Sequence, residues 1–194
     1  MGEVSEDQVE QKIIQSVSRV IGYNRIPLSI VLGVGLFLFS APEWRSLVLG
    51  IPFILLGEGV RIWSSGYLQK NKVLQIRGPY SLTRNPLYVG NFLIGLGFAI
   101  VGNSLLGGML FMGGWGSIYT ATVLEEERYL TRCFGEEYQV YLREVPRFFP
   151  RFSRPLSGGF YWTQVLAHRE LNTWWGLAGG IALFSIRAWW LGTL

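Results

Sequence analysis

Residues 85–124, NPLYVGNFLIGLGFAIVGNSLLGGMLFMGGWGSIYTATVL, form a run of forty positions without one charged side chain. A single helix needs about 20 residues to cross an apolar bilayer core of roughly 30 Å. The run therefore holds enough chain for two crossings. Its middle, VGNSLLGG at 101–108, is rich in turn-forming residues. The pattern predicts a helical hairpin that crosses a membrane, turns and returns. Its ends then bring Arg84 and Glu125 to one membrane face. Polar motifs flank the run on both sides: RGPYSLTRNPLYVG before and across its start, and LEEERYLTRCFGEEYQVY across its end and beyond.

The rest of the chain agrees with a membrane setting. Of its 194 residues 49% are hydrophobic and 15% charged, with mean hydropathy +0.29. A soluble domain usually carries about 25% charged residues. Eight Trp and 25 Gly suit interfacial anchoring and close helix packing. The net charge of +4 is spread between apolar stretches and forms no polybasic arm, so membrane lipids are the expected partner and nucleic acid is not. Cys133 is the single cysteine, which excludes an internal disulfide and argues against a cysteine-ligated metal site. The acidic, polar start MGEVSEDQVEQK does not read as a cleavable signal. The length fits one domain, 1–194.

Working outward, Val9, Ile13, Ile14, Val17, Val20 and Ile21 recur at helical spacing, and Ser5 with Gln8 makes a capping box. This predicts an amphipathic helix over 5–21 lying on the membrane. Further spans are expected at 27–41, 47–63 and 174–191, beside 87–101 and 105–124 of the hairpin. The fold class is thus all-α, an integral membrane bundle of about five transmembrane helices. Glu58 and Arg61, three apart near the end of the second span, are expected to pair on one helix face. With the N-terminus in the cytosol, 14 of the 17 Lys and Arg fall on cytosolic segments, Arg77, Arg84, Arg128 and Arg147 among them. Both polar motifs are then cytosolic.

In the first motif, Gly78-Pro79 signals a turn, and Asn85-Pro86 signals a helix start with Asn as cap and Pro at the first position. The plain reading is the beginning of a span, with Tyr80 and Tyr88 at the interface. The functional reading places Arg84, Tyr80 and Tyr88 around a pocket at a helix N-terminus, which suits a carboxylate. In the second motif, Glu125, Glu126 and Glu127 open a helix past the fourth span and point about 100° apart, so at least one faces the bundle. A carboxylate so placed can hold ribose hydroxyls, an ammonium or a sulfonium.

Together these motifs resemble the isoprenylcysteine carboxyl methyltransferase family and the related phospholipid methyltransferases. The family pattern G-x-Y-x-x-x-R-H-P-x-Y-x-G is met by Gly78, Tyr80, Arg84, Asn85, Pro86, Tyr88 and Gly90. Beyond the hairpin come Glu125-Glu126, then Phe134, Gly135, Tyr138, Tyr141, Val145, Pro146 and Pro150. The resemblance spans 72–150 and implies an integral membrane enzyme that uses S-adenosyl-L-methionine. It nominates Lys72, Val73, Leu74, Gln75, Tyr80, Arg84, Asn85, Pro86, Tyr88 and Glu126 for the cofactor. In that reading Val73 and Leu74 wall the adenine and Arg84 pairs with the methionine carboxylate. Glu126 faces ribose or ammonium, and the tyrosine rings lie near the sulfonium. Two positions depart from the pattern: Asn85 stands where the family has His, and Thr122 where some members carry a substrate-binding Arg.

The resemblance implies methylation of a lipid-like or prenylated acceptor that enters from the bilayer. A carboxylate nucleophile needs no base, whereas an amine must lose a proton. The one histidine, His168, is not nominated, and no catalytic or metal-binding residue is singled out. The alternatives are a phospholipid N-methyltransferase, a membrane reductase of the sterol reductase type using a nicotinamide cofactor, and a non-enzymatic membrane protein. No G-x-G-x-x-G turn is present for a soluble nucleotide-binding fold.

Overall fold

A computed structural model describes residues 25–68, 73–152, 156–168 and 170–193. The amphipathic helix expected over 5–21 and the nominated Lys72 lie outside the described residues. Six α-helices are described, with no strand among the described residues: α1 (Arg25–Leu38), α2 (Trp44–Tyr67), α3 (Pro86–Val101), α4 (Leu105–Glu144), α5 (Trp162–Ala167) and α6 (Leu171–Trp190). A short 3-10 turn, Gly78–Ser81, precedes α3.

The hairpin forms where the charge-free run predicts it. Asn103 takes a left-handed φ of 48°, and the Ser104 side chain caps α4 by accepting the Gly107 N–H at 3.2 Å. Aromatic rings zip the two helices together: Phe92 meets Trp115 at 4.7 Å, Trp115 stacks on Tyr119 at 5.1 Å, and Tyr119 meets Tyr88 at 5.4 Å. Two expectations need correction. The glutamate run does not open a new helix, because α4 continues unbroken through it. The break comes at Gly135, whose φ of 53° and ψ of −125° suit glycine alone. Asn85 sits at the cap position of α3 without capping it; its side chain is engaged elsewhere.

α2 and α3 run antiparallel with backbones almost in contact. A Cβ on Gly50 would lie 2.5 Å from Gly97 O, and one on Gly57 would lie 2.6 Å from Gly90 O. Each of these pairs is a place where only hydrogen fits, so the two helices approach as small residues allow. Replacing Gly57 by Ala is expected to cost about 1–3 kcal/mol, the usual range for overpacking against groups that cannot move. Gly59 on the same helix has open space around it. Gly59→Ala should instead stabilise slightly through helix propensity. Thermal unfolding of the two variants reads the contrast directly.

One end of the bundle gathers the α1–α2 connection, the hairpin turn and the C-terminus. The Ala41 N–H donates to Gly102 O at 2.8 Å, Thr193 Oγ1 donates to Pro42 O at 2.6 Å, and Arg187 Nε donates to Ser40 O at 2.9 Å. An apolar cluster of Leu47, Ile54, Val101, Leu177, Phe184 and Ala188 fills the interior behind them. The motif-bearing segments occupy the other end, around a second cluster of Leu74, Tyr138, Tyr141 and Val145.

Of the five expected spans, Trp44–Tyr67 alone among the described residues is a helix long and apolar enough to cross a membrane by length and composition. α3 is apolar but has 16 residues, about 24 Å at 1.5 Å per residue and short of a core of roughly 30 Å; α1 is apolar over its 14 described residues, which begin where the described residues begin. α4 and α6 have the length, but Gly, Ser, Thr and Trp dilute their apolarity.

Candidate functional site

The first motif is folded onto the chain that follows α4. The Arg84 N–H donates to Pro146 O (2.9 Å), the Arg151 N–H to Leu82 O (3.0 Å), and Tyr141 Oη to Tyr80 O (2.7 Å). Thr83 Oγ1 and Asn85 Nδ2 both donate to Arg147 O, at 2.9 and 3.1 Å. The Asn85 side chain therefore joins the two motifs. Gly78 makes the entry turn possible: its φ is 60°, and a Cβ there would lie 2.4 Å from the Tyr67 ring.

The three successive glutamates meet three different partners. Glu125 lies 3.7 Å from Arg128 on the same helix. The Tyr88 hydroxyl donates to Glu126 at 2.7 Å. Glu127 turns inward, where Arg147 holds it with two bonds of 3.1 and 2.7 Å and Arg84 Nη1 lies 3.5 Å away. The expectation that one carboxylate faces the bundle is met by two: Glu126 toward a cavity and Glu127 toward the arginines.

That cavity, of about 660 Å³, opens between the motifs and α2. Val73, Leu74, Gln75, Tyr80, Arg84, Asn85, Pro86, Tyr88 and Glu126 all line it, so every nominated residue that is described stands on one wall or another. Thr122 does not line it; its buried hydroxyl donates to Ile118 O at 2.7 Å. The sequence reading missed Arg61, Asn91, Tyr119 and Glu170, which line the cavity as well. An arginine inside an apolar span is itself a signal of a site. Glu170 gives no such signal, since its partner Arg61 lies 109 positions away.

Buried polar atoms around the cavity are incompletely satisfied. Tyr80 Oη and Arg84 Nε are enclosed and have no hydrogen-bond partner. Such atoms are costly unless something binds them. A ligand with a carboxylate and vicinal hydroxyls fits this donor and acceptor set: Tyr80 and Arg84 donate, and Glu126 accepts. A wall of Val73, Leu74, Leu130 and Phe134 suits an aromatic base.

Burial first, and the charge of Glu126 second, push the Tyr80 phenol well above its ordinary value. Burial, and then the charge of Glu127, raise Tyr138 likewise. Both are therefore hydrogen-bond donors at neutral pH and not bases. Because the folded values are raised, the stability they protect is complete below about pH 10, the ordinary tyrosine value, and is lost as pH rises above it. Each group contributes a slope of about 1.4 kcal/mol per pH unit. Denaturant titrations at increasing alkalinity should show this decline, and Tyr80→Phe should make it shallower.

Comparison with known proteins places the chain among the methyltransferases. It belongs to the phospholipid methyltransferase family, whose pattern matches residues 28–137, more than half of the chain. It is similar to the cobalt-zinc-cadmium resistance protein CzcN of Cupriavidus metallidurans, 36% identical over 159 residues that make up 78% of this chain and 73% of that protein. The nickel-cobalt-cadmium resistance protein NccN of Alcaligenes xylosoxydans xylosoxydans is 32% identical over 154 residues, 75% of this chain and 71% of that one. A protein-S-isoprenylcysteine O-methyltransferase of Schizosaccharomyces pombe is 28% identical over 150 residues, 70% of this chain and 59% of the yeast protein. No solved structure matches. Among the described residues, no group of three or more His, Cys, Asp or Glu is placed to hold a metal ion.

Proposed function

We propose that this protein is an S-adenosyl-L-methionine-dependent integral membrane methyltransferase acting on a lipid-like acceptor. The observation that carries the reading is the convergence of nine nominated residues, from three separate stretches of sequence, on one cavity. The cofactor, when bound, supplies a methyl group activated by a sulfonium. The chain's own part is to hold and enclose it. Arg84 and Tyr80 donate to its carboxylate, Glu126 accepts from ribose or ammonium, and Val73 and Leu74 cover the base. Orientation of this kind, with water excluded, provides much of the rate of a displacement reaction.

We further propose the five-span arrangement with the cavity at the cytosolic face. Two features support it. The three turns and ends described above gather at the end of the bundle away from the cavity. Large apolar side chains are exposed along α1, α2, the first half of α4 and α6, such as Val31, Leu49, Leu105 and Ile186. Apolar surface on that scale fits contact with lipid. The acceptor would enter from the bilayer beside Ile26, Ser29 and Ile30 of α1, which line the cavity. Two relatives are named for resistance to metal ions.

Calorimetric titration of the detergent-purified protein with S-adenosylhomocysteine and with NADPH tests the proposal. Binding of the first without the second is expected. Binding of NADPH alone would turn the assignment toward a reductase, and binding of neither would remove the enzyme reading.

A further inference from the structure

The chain that leaves α4 holds out two phenylalanine rings. Phe149 is 88% exposed and Phe152 83%, the two most exposed large apolar side chains among the described residues. They do not sit on a loose tail. Pro146 O accepts the Arg84 N–H at 2.9 Å, and the Arg151 N–H donates to Leu82 O at 3.0 Å, so 146–151 is tied at both ends to the first motif. Between the ties, Arg147 O accepts from Thr83 and Asn85, and the Arg147 guanidinium holds Glu127. Pro146 and Pro150 stiffen the stretch further by fixing φ. Phe149 lies inside the tied stretch and Phe152 follows it directly.

Two contacts place this segment at the edge of the apolar bundle. The Phe148 ring meets that of Trp115, centroids 6.0 Å apart. Trp115 belongs to the charge-free run and precedes Glu125 on α4 by about 15 Å along the helix axis. Phe148 thus reaches from the charged rim onto the hairpin's apolar wall, while Phe149 beside it stays exposed. Tyr161 and Trp162, also exposed, stand at the same end of the bundle, where the Tyr161 N–H donates to Gly66 O near the end of α2 at 2.9 Å. Exposed aromatic rings at one end of apolar helices are the pattern of a membrane–water interface. The charge agrees. Over 143–154 the sequence REVPRFFPRFSR has four arginines and one acid. Arg147 is engaged by Glu127, and Arg143 and Arg151 are exposed beside the rings.

We propose that 143–152 is a bilayer-docking surface whose partner is an acidic phospholipid. Phe149 and Phe152 enter the headgroup layer, and Arg143 and Arg151 pair with lipid phosphate. The inference rests on the membrane arrangement proposed above and is independent of the cofactor that the cavity takes. Apolar rings beside cationic side chains hold a surface segment to a membrane, the rings through burial and the cations through the negative surface potential of acidic lipids. The planar fork of arginine suits phosphate oxygens. An acidic soluble protein would satisfy the arginines equally, but the contact of Phe148 with the hairpin keeps the exposed rings beside the apolar wall, where lipid is the neighbour.

The test uses the full chain with Cys133→Ser, reconstituted in phosphatidylcholine vesicles. One new cysteine is added at a time, Phe149→Cys, Phe152→Cys or Leu56→Cys, and labelled with a fluorophore. Leu56 is exposed halfway along α2 and reports on the bundle itself. The vesicles carry an equal, small fraction of spin-labelled phosphatidylcholine or spin-labelled phosphatidylglycerol. Spin-labelled lipid should quench all three probes. At 149 and 152 the acidic lipid should show a local enrichment of about two- to fivefold, the upper figure being what one arginine contributes near an acidic surface. At 56 the two lipids should quench alike. Arg143→Gln combined with Arg151→Gln should remove the excess, as should about 1 M salt, where screening acts within roughly 3 Å. Equal quenching by both lipids at 149 and 152 overturns the acidic-lipid assignment. Probes there that aqueous iodide quenches and lipid does not, with the probe at 56 still quenched by lipid, overturn the docking surface and leave the rings to a protein partner. A probe at 56 that lipid does not quench would instead sink the underlying membrane arrangement. If the arginine variant does not fold, the headgroup and salt comparisons on the native arginines decide.

Discussion

Replacing Glu126 by alanine is expected to lower the affinity for S-adenosylhomocysteine by about a hundredfold. The magnitude follows from two charge-assisted hydrogen bonds to a diol, each of about 1.5–3 kcal/mol, partly offset by water that replaces the side chain. Stability should change little. Glu126 is exposed on α4 and its bond to Tyr88 lies at the cavity edge, so unfolding temperature separates loss of binding from loss of fold. Arg84→Ala should weaken binding comparably, and Arg84→Lys should recover only part, since a lysine offers no planar fork to a carboxylate. Glu125→Ala is the internal control. Its carboxylate pairs with Arg128 and does not line the cavity, so binding should be unchanged. Calorimetry on the four variants reads all of this. Wild-type affinity in Glu126→Ala would mean that the cofactor does not lie in this cavity.

The parts of this architecture that rest on local pattern were legible in the sequence. The charge-free run at 85–124 gave the hairpin, because apolarity and a turn of Gly, Asn and Ser are local properties. The Glu58–Arg61 pair was legible for the same reason, being three apart on a helix. The convergence of Val73, Tyr80, Arg84 and Glu126 was reached through motif resemblance, and the hairpin supplies its physical cause by returning the chain to where it started. Long-range pairing was not legible. Nothing near Glu170 says that it meets Arg61, and nothing near Asn85 says that its side chain will bond Arg147 O rather than cap its own helix. Span ends were misplaced for a different reason. Hydropathy runs do not respect helix ends, so 27–41 was read as one span while the helix stops at Leu38 and the chain turns toward Gly102, and 47–63 was read where the helix runs from Trp44 to Tyr67. The glutamate run misled in the opposite direction: charge ends an apolar segment without ending a helix, and α4 passes straight through it.

Glu127, which looked in sequence like one of three equivalent acids, is expected to matter most for the fold of the site. It is nearly buried and sits between Arg84 of the first motif and Arg147 of the chain that follows α4. Removing one partner of a buried ion pair usually costs about 3–5 kcal/mol, because the other charge is left without compensation. Here Arg147 is 40% exposed and can turn to solvent, whereas Arg84 at 12% cannot. Glu127→Ala should therefore cost about 2–4 kcal/mol, somewhat below that range. Arg147→Ala should cost less, since Glu127 keeps Arg84 as a neighbour, and the double variant should cost less than the two singles summed, as coupled residues do. The same substitutions separate holding the cofactor from holding the site together. Glu126→Ala should lose binding at an unchanged melting temperature. Glu127→Ala should lose both, because the segment that carries Pro146 and Arg147 is then free to leave Arg84 and Asn85. If Glu127→Ala melts like wild type, the hydrogen bonds at Tyr80, Leu82, Thr83, Arg84 and Asn85 hold these segments together and the ion pairs add nothing.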